Sequence, residues 1–206
     1  MSETADAAAL RDWIARHLDP LEDRDPVDGI PMLEGVPDGD HAPASVLIGL
    51  VERPAGYTVL LTRRVDTMRS HAGQVALPGG RRDPGETAWQ TALREAEEEI
   101  GLASRYVDLA GLLTPMFTHS GYLVTPVVGF IKEGFQLRPN PHEVADIFET
   151  PFGFLMDPAN HKKVEREFDG RMSFYYAITH EDRRIWGLTA SILRSLYDRL
   201  YGAALA

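Results

Sequence analysis

The chain has 206 residues, with 21 lysines and arginines against 31 aspartates and glutamates for a formal charge of −10, and 44% of it is hydrophobic. That length and apolar content fit one domain with at most a small appendage and exclude wholesale disorder, while the acidic balance excludes a generally basic nucleic-acid binder. With no cysteine in the sequence, disulfides, thiolate nucleophiles and thiolate zinc sites are excluded together, so any metal must sit on oxygen or imidazole.

Met1 to Ala9 carries acids and no basic n-region, and apolar runs such as Val46 to Val51 fall far short of the roughly 18 residues that span a bilayer, so the expectation is a cytoplasmic protein without membrane contact. Ala7 to Leu18 places Ala8, Leu10, Trp13, Ile14 and Leu18 near one helical face, and an irregular arm rich in proline, glycine and acids follows to Asp40. Residues 1–40 therefore read as a helix plus arm, whose Trp13 and Ile14 need burial somewhere, a homodimer interface being one option. The core domain, 41–206, opens with an expected hairpin, Ala44 to Glu52 and Tyr57 to Arg63, turning through Pro54-Ala55-Gly56. A turn from Leu77 to Gly85 leads into a helix from Thr87 to Ile100, with Thr87 and Gln90 in capping-box spacing and Gly101 placed to stop it. Further strands are expected at Val107 to Leu113, Tyr122 to Ile131, Lys163 to Phe168 and Ser173 to Thr179, the last two joined through Asp169-Gly170. Leu188 to Leu200 reads as a closing helix packed on the sheet. Strands interleaved with helices imply an α/β domain.

Chemistry concentrates on the Thr87 helix. At 100° per residue Glu95, Glu98 and Glu99 share one face, where three carboxylates repel one another. A hard divalent cation, Mg²⁺ or Mn²⁺, relieves that repulsion through oxygen ligands, which suits phosphate chemistry. A solvated acidic face would also explain a charge run. Against that, the joint occurrence of Gly80, Glu86, Arg94, Glu95, Glu98, Glu99 and Gly101 at these spacings has a chance on the order of 10⁻⁸ per window at average composition.

Gly80 to Leu102 resembles the Nudix box, GX₅EX₇REUXEEXGU with U aliphatic, departing only at Ala96. The resemblance implies the Nudix fold, a mixed β-sheet sandwiched between helices (α/β/α), and hydrolysis of a nucleoside diphosphate linked to another group. It implies metal ligation by Glu95, Glu98 and Glu99, and support of the loop and helix by Glu86 and Arg94. Gly79 and Gly80 let the backbone turn sharply where a Cβ would crowd the substrate.

A second stretch, Leu60-Leu61-Thr62-Arg63-Arg64, Arg69, Gly73 and Leu77-Pro78-Gly79-Gly80, resembles the LLTXR(S/A)X₃RX₃GX₃FPGG signature of coenzyme A pyrophosphatases, differing at Val65 and Leu77. From Leu60 to Gly85 the arginines 63, 64, 69, 81 and 82 outnumber Asp66 and Asp83, and guanidinium forks suit phosphates. Substrate binding is accordingly expected at Arg63, Arg64, Arg69, Gly79 and Gly80. His71 is read as a local hydrogen-bonding residue. Asn140 to Val144 resembles the post-box loop from which many Nudix enzymes offer a residue to the site, making Glu143 a candidate base alongside Glu95, with Glu99 the third catalytic candidate. Ile185 to Ala190 also resembles the C-terminal part of coenzyme A pyrophosphatases.

The implied reaction is metal-dependent hydrolysis of coenzyme A or a derivative to 4′-phosphopantetheine and adenosine 3′,5′-bisphosphate. Two alternatives stay open in the sequence: a Nudix hydrolase for ADP-ribose, a dinucleotide or a capped RNA end, and a nucleotide-binding module that does not cleave. Retention of all three helix glutamates favours catalysis, and the lack of cysteine argues against the zinc-ribbon type of NADH pyrophosphatase.

Overall fold

The computed structural model describes residues 3–22, 41–67, 72–168 and 171–202. Most of the expected arm, Arg69, His71 and the Asp169-Gly170 turn lie outside them. In chain order the elements are α1 (Glu3–His17), β1 (Ala42–Arg53), β2 (Gly56–Arg64), β3 (Val75–Ala76), β4 (Gly79–Arg81), α2 (Ala88–Ile100), β5 (Val107–Leu112), β6 (Met116–Phe117), β7 (Tyr122–Ile131), β8 (Val144–Pro151), α3 (Phe152–Leu155), β9 (Lys162–Phe168), β10 (Arg171–His180), β11 (Arg183–Trp186) and α4 (Leu188–Tyr201).

β1 pairs parallel with β7 over its whole apolar length, from Ala42↔Tyr122 to Val51↔Ile131, and every other pairing in the main sheet is antiparallel. The sheet is therefore mixed. A parallel pair at the centre is covered on both faces, which is why both strands read as near-continuous hydrophobic runs. β1 and β2 form the expected hairpin, and β2 then pairs with β8 on its other side. At the far end β1 leaves β2, and the short strands β3 and β4 fill the split, β3 on β2 and β4 on β1.

One face of the sheet carries α2. Its Ala88, Ala92, Ala96 and Ile100 recur every fourth residue and are buried against Leu47, Val51, Leu60, Val127 and Ile131. Small side chains let the helix approach closely, so Ala96, the departure from the Nudix pattern, is fully buried. The opposite face is covered by α1, α3, α4 and the three-stranded sheet β11-β10-β9. Ile14 of α1 is completely buried there among residues of its own chain, a contribution of roughly 1.5–3 kcal/mol for a side chain of that size. Arg11 bonds Asp108 at 2.9 Å, and Asp19 exchanges backbone bonds with Leu112 at 2.9 and 3.0 Å, tying α1 to the sheet edge. The layers are helix, sheet, helix, as expected for the Nudix fold.

Five strands depart from the expectation: the short β3, β4 and β6, of which β4 lies inside the segment read as a turn, and the longer β8 and β11. β8 begins inside the segment read as a loop, and β11 was not expected at all. In β8 acidic and apolar residues alternate imperfectly because both faces are partly covered: Ile147 and Leu137 pack toward α2, while Phe148 lies under the Arg183 guanidinium at 3.8 Å on the other side. β11 contains two arginines in four residues, but Ile185 is buried in the core and Arg183 is bound to Asp146 at 2.7 Å. Among the described residues no helix is long and apolar enough to cross a membrane.

Candidate active site

The site is built around α2 and the loop before it. Thr87 caps the helix: its hydroxyl accepts from Gln90 N at 3.3 Å, and Gln90 Oε1 accepts from Thr87 N at 2.8 Å. Gly101 ends it with φ 70°, a left-handed conformation that favours glycine, and the N–H groups of Gly101 and Leu102 close on the carbonyls of Glu97 and Ala96. These caps fix the helix length and hence where its glutamates stand.

Glu86 and Arg94 form a latch between loop and helix. Arg94 Nε donates to Glu86 Oε1 at 2.7 Å and Nη2 to Oε2 at 3.1 Å, while Thr91 Oγ1 and Asp83 N donate to Oε2 at 2.8 and 3.0 Å. The guanidinium, with these extra donors, holds the Glu86 carboxyl down at about 2. Arg94 Nη2 also donates to Arg81 O at 3.0 Å, which stitches the end of β4 to the helix.

Gly79 and Gly80 lie in β4 against β1. A Cβ at Gly80 would sit 2.5 Å from the Glu95 carboxylate, and one at Gly79 would strike the Ser45 carbonyl and Val46. The glycines are thus required by close approach. Gly79 N donates to Glu99 Oε2 at 3.2 Å.

The three helix glutamates occupy different environments. Glu99 is only 5% exposed, and burial pushes its carboxyl up to about 7, with Glu95 and Glu143 adding to the rise and the Gly79 N–H and Arg64 opposing it. Burial likewise raises Glu95, helped by Glu98 and Glu143 and opposed by Arg94. Glu98 has a side chain 57% exposed and receives Arg94 Nη1 at 3.1 Å, the same nitrogen that reaches Glu95 at 2.8 Å. Among the described residues no three acidic or imidazole side chains already converge as a metal cage. Arg94 stands between Glu95 and Glu98 instead. Buried, mutually repelling oxygen donors are nonetheless the environment that suits a hard divalent cation.

Glu143 reaches this group from the loop before β8. Asn140 N bonds Glu99 O at 2.8 Å and Arg138 N bonds Ile100 O at 2.8 Å, so the loop is pinned to the C-terminal end of α2. Glu143 O in turn accepts from Val65 N at 3.0 Å. Arg64 approaches from β2: strand alternation puts it on the α2 side with Leu60, and its charge lowers the pKa of Glu99. Its Nε is buried without a hydrogen-bond partner among the described residues. Arg63 alternates to the other side of the sheet, in register with the buried core residue Val75, and lies 3.8 Å from Asp66. Arg64, Gly79, Gly80, Glu95, Glu99 and Glu143 therefore come together, Glu98 lies at their exposed margin, Arg63 stands apart, and Arg69 is outside the described residues.

No local sequence pattern marks the backbone bonds at Asn140 and Arg138 that join α2 to the Glu143 loop. Only the turn-forming Pro139-Asn140-Pro141 hinted at a fixed bend there.

A mixed α/β/α sandwich with a Gly-rich strand delivered against a glutamate helix defines a Nudix domain. The NUDIX domain family model matches residues 41–170, and the chain belongs to the Nudix hydrolase family. A protein called Uncharacterized Nudix hydrolase NudL from Photorhabdus laumondii is 43% identical over 158 residues, covering 76% of this chain and 84% of that protein. Its namesake in Yersinia pestis (strain Pestoides F) is 42% identical over 158 residues, covering 76% and 79%. Among solved structures, a Nudix hydrolase from M. smegmatis, RenU, superposes with a TM-score of 0.50 at 28% identity, covering 63% of this chain and 83% of that one. The chain is accordingly an enzyme of the pyrophosphatase type. Enzymes of this family act on pyrophosphate bonds and generally use divalent cations such as Mg²⁺ or Mn²⁺.

Proposed function

We propose that the chain hydrolyses the pyrophosphate of coenzyme A or its derivatives, giving 4′-phosphopantetheine and adenosine 3′,5′-bisphosphate. The observation that carries this reading is Arg64. It is one of the two arginines of the signature that resembles coenzyme A pyrophosphatases, and its buried Nε has no acceptor among the described residues. A buried guanidinium N–H left unpaired is costly. A substrate phosphate oxygen would supply the missing partner beside Glu99.

In this reading Glu95, Glu98 and Glu99 would hold Mg²⁺ or Mn²⁺, which would neutralise the pyrophosphate and lower the pKa of water there. Gly79 and Gly80 keep side chains out of the path of the phosphates. Glu95 or Glu143 accepts the proton of the attacking water. The water oxygen ends on one phosphorus, the bridging bond breaks, and the other phosphate leaves as a monoester. Arg94 would hold Glu86 through two bonds, so the loop would stay latched with Glu95 and Glu98 available to a cation. Arg64 and Arg69 bind substrate phosphates, and the reaction takes place in the cytoplasm.

The test is hydrolysis of coenzyme A, dephospho-coenzyme A, ADP-ribose, NADH and a diadenosine polyphosphate with Mg²⁺, with Mn²⁺ and with chelator, the products identified by mass. Metal-dependent preference for coenzyme A with release of 4′-phosphopantetheine is expected. Cleavage confined to another compound would retain the pyrophosphatase and discard the coenzyme A reading.

A further inference from the structure

Beside the carboxylates the main sheet ends in a strand edge. β8 pairs with β2 along one side, from Thr58↔Pro151 to Arg64↔Val144, and among the described residues no strand pairs with its other side. An open groove of about 540 Å³ runs there, lined in part by Leu60, Leu137, Pro139, Ala145, Ile147 and Phe148. Successive side chains of a strand point to opposite faces, so a groove touched by all of 145–149 lies along β8, whose outward peptide N–H and C=O groups have no strand partner among the described residues. At 3.3 Å per residue, such a run extends roughly 16 Å.

One end of the groove meets the candidate active site. Arg63 pairs with Asp146 and Arg64 with Val144, so Ala145 is the extra residue of a β-bulge immediately beside Arg64. Pro139 leads into the turn that carries Glu143.

The charge of the groove decides what fits. Among the described residues its lining contains no lysine or arginine. The two acids are already engaged, Asp146 by Arg183 at 2.7 Å and Glu149 by Arg53 at 2.5 Å and Thr58 at 2.6 Å. A phosphate here would meet carboxylates and no free cation. An uncharged, amide-bearing chain would find apolar walls for its methylenes and open strand groups for its amides, as in strand addition to a sheet edge.

We propose that the β8 edge groove holds the uncharged pantetheine arm of the substrate, laid beside β8 like an added strand, while the pyrophosphate lies at Arg64 and Glu99. This rests on the coenzyme A reading above. Pantetheine carries two amides, a secondary hydroxyl and a terminal thiol on an uncharged, largely aliphatic chain, so the groove reads the arm and leaves the adenosine to other surfaces.

Ala145→Trp tests it, since Ala145 is exposed and a large ring there fills the end of the groove next to the site. The expected result is a KM for coenzyme A raised roughly tenfold or more with a much smaller change in kcat. In a second measurement, millimolar free pantetheine added to the wild-type protein should shift backbone amide resonances within 145–149, and that shift should be lost in Ala145→Trp. An unchanged KM in a variant with an unchanged thermal midpoint overturns the groove while the proposed activity stands. If wild type does not cleave coenzyme A, the proposed activity falls. The pantetheine titration then judges the groove by itself, as it does if Ala145→Trp fails to fold: moved amides support it and unmoved amides overturn it.

Discussion

Glu86 and Glu99 are the same side chain at the two ends of one motif, and the fold drives them in opposite directions. Glu86 is surrounded by donors and is held at about 2 by Arg94, whereas Glu99 is buried next to other carboxylates and is pushed up to about 7. The first is a satisfied structural anion. The second is a carboxyl whose ionised form is only partly compensated for burial, by the Gly79 N–H at 3.2 Å. A carboxylate destabilised in this way gains most from a cation, so the pair separates the latch of the site from its working end.

The largest effect that would break this comparison is at Glu99. Glu99→Gln keeps the shape and removes the charge, and it should lower kcat/KM on a cleaved pyrophosphate substrate by about 10³-fold or more without loss of thermal stability. Retained activity, measured by product release, would move the working end elsewhere. Gly80→Ala comes next. A methyl group 2.5 Å from the Glu95 carboxylate must displace it, and a displacement of about 1 Å at a reacting group is worth about 10²-fold in rate.

At the latch, Glu86→Gln should cost about 2 kcal/mol at pH 7, read by urea unfolding, because Arg94, Thr91 and Asp83 all donate to that carboxylate. The pH dependence gives a second reading. The folded value of about 2 lies below the ordinary 4.5, so the contribution of Glu86 is fully present above pH 4.5 and is lost as pH falls toward 2. Below pH 4.5 the variant should therefore lose less stability than wild type.

Cation linkage sharpens the contrast further. Millimolar Mn²⁺ should raise the thermal midpoint of wild type by a few degrees, as binding to the native state alone requires, and Glu99→Gln should lose most of that rise while Glu86→Gln keeps it. Equal losses in both variants would erase the distinction. The smallest effect expected is for Thr87→Ala, about 1 kcal/mol from the lost capping box, with kcat unchanged.

By itself the sequence determined the central hairpin, α2 with both of its caps, β5, β7, the β9–β10 pair and α4, because each has a local signal in apolar periodicity, capping residues or turn glycines. It also determined the membership and spacing of the glutamate motif, since Gly80, Glu86, Arg94, Glu95, Glu98 and Glu99 lie in one short run. Tertiary structure alone decided β8 and β11, whose apolar patterns are masked by Asp146, Glu149, Arg183 and Arg184 until those side chains find one another or their partners. It alone separated Arg63 from Arg64, neighbours in sequence that strand alternation sends to opposite sides of the sheet. It alone distinguished Glu99 from Glu98. On an isolated helix the two glutamates are equivalent, and only packing against β4 and the Asn140 loop buries one and leaves the other in water.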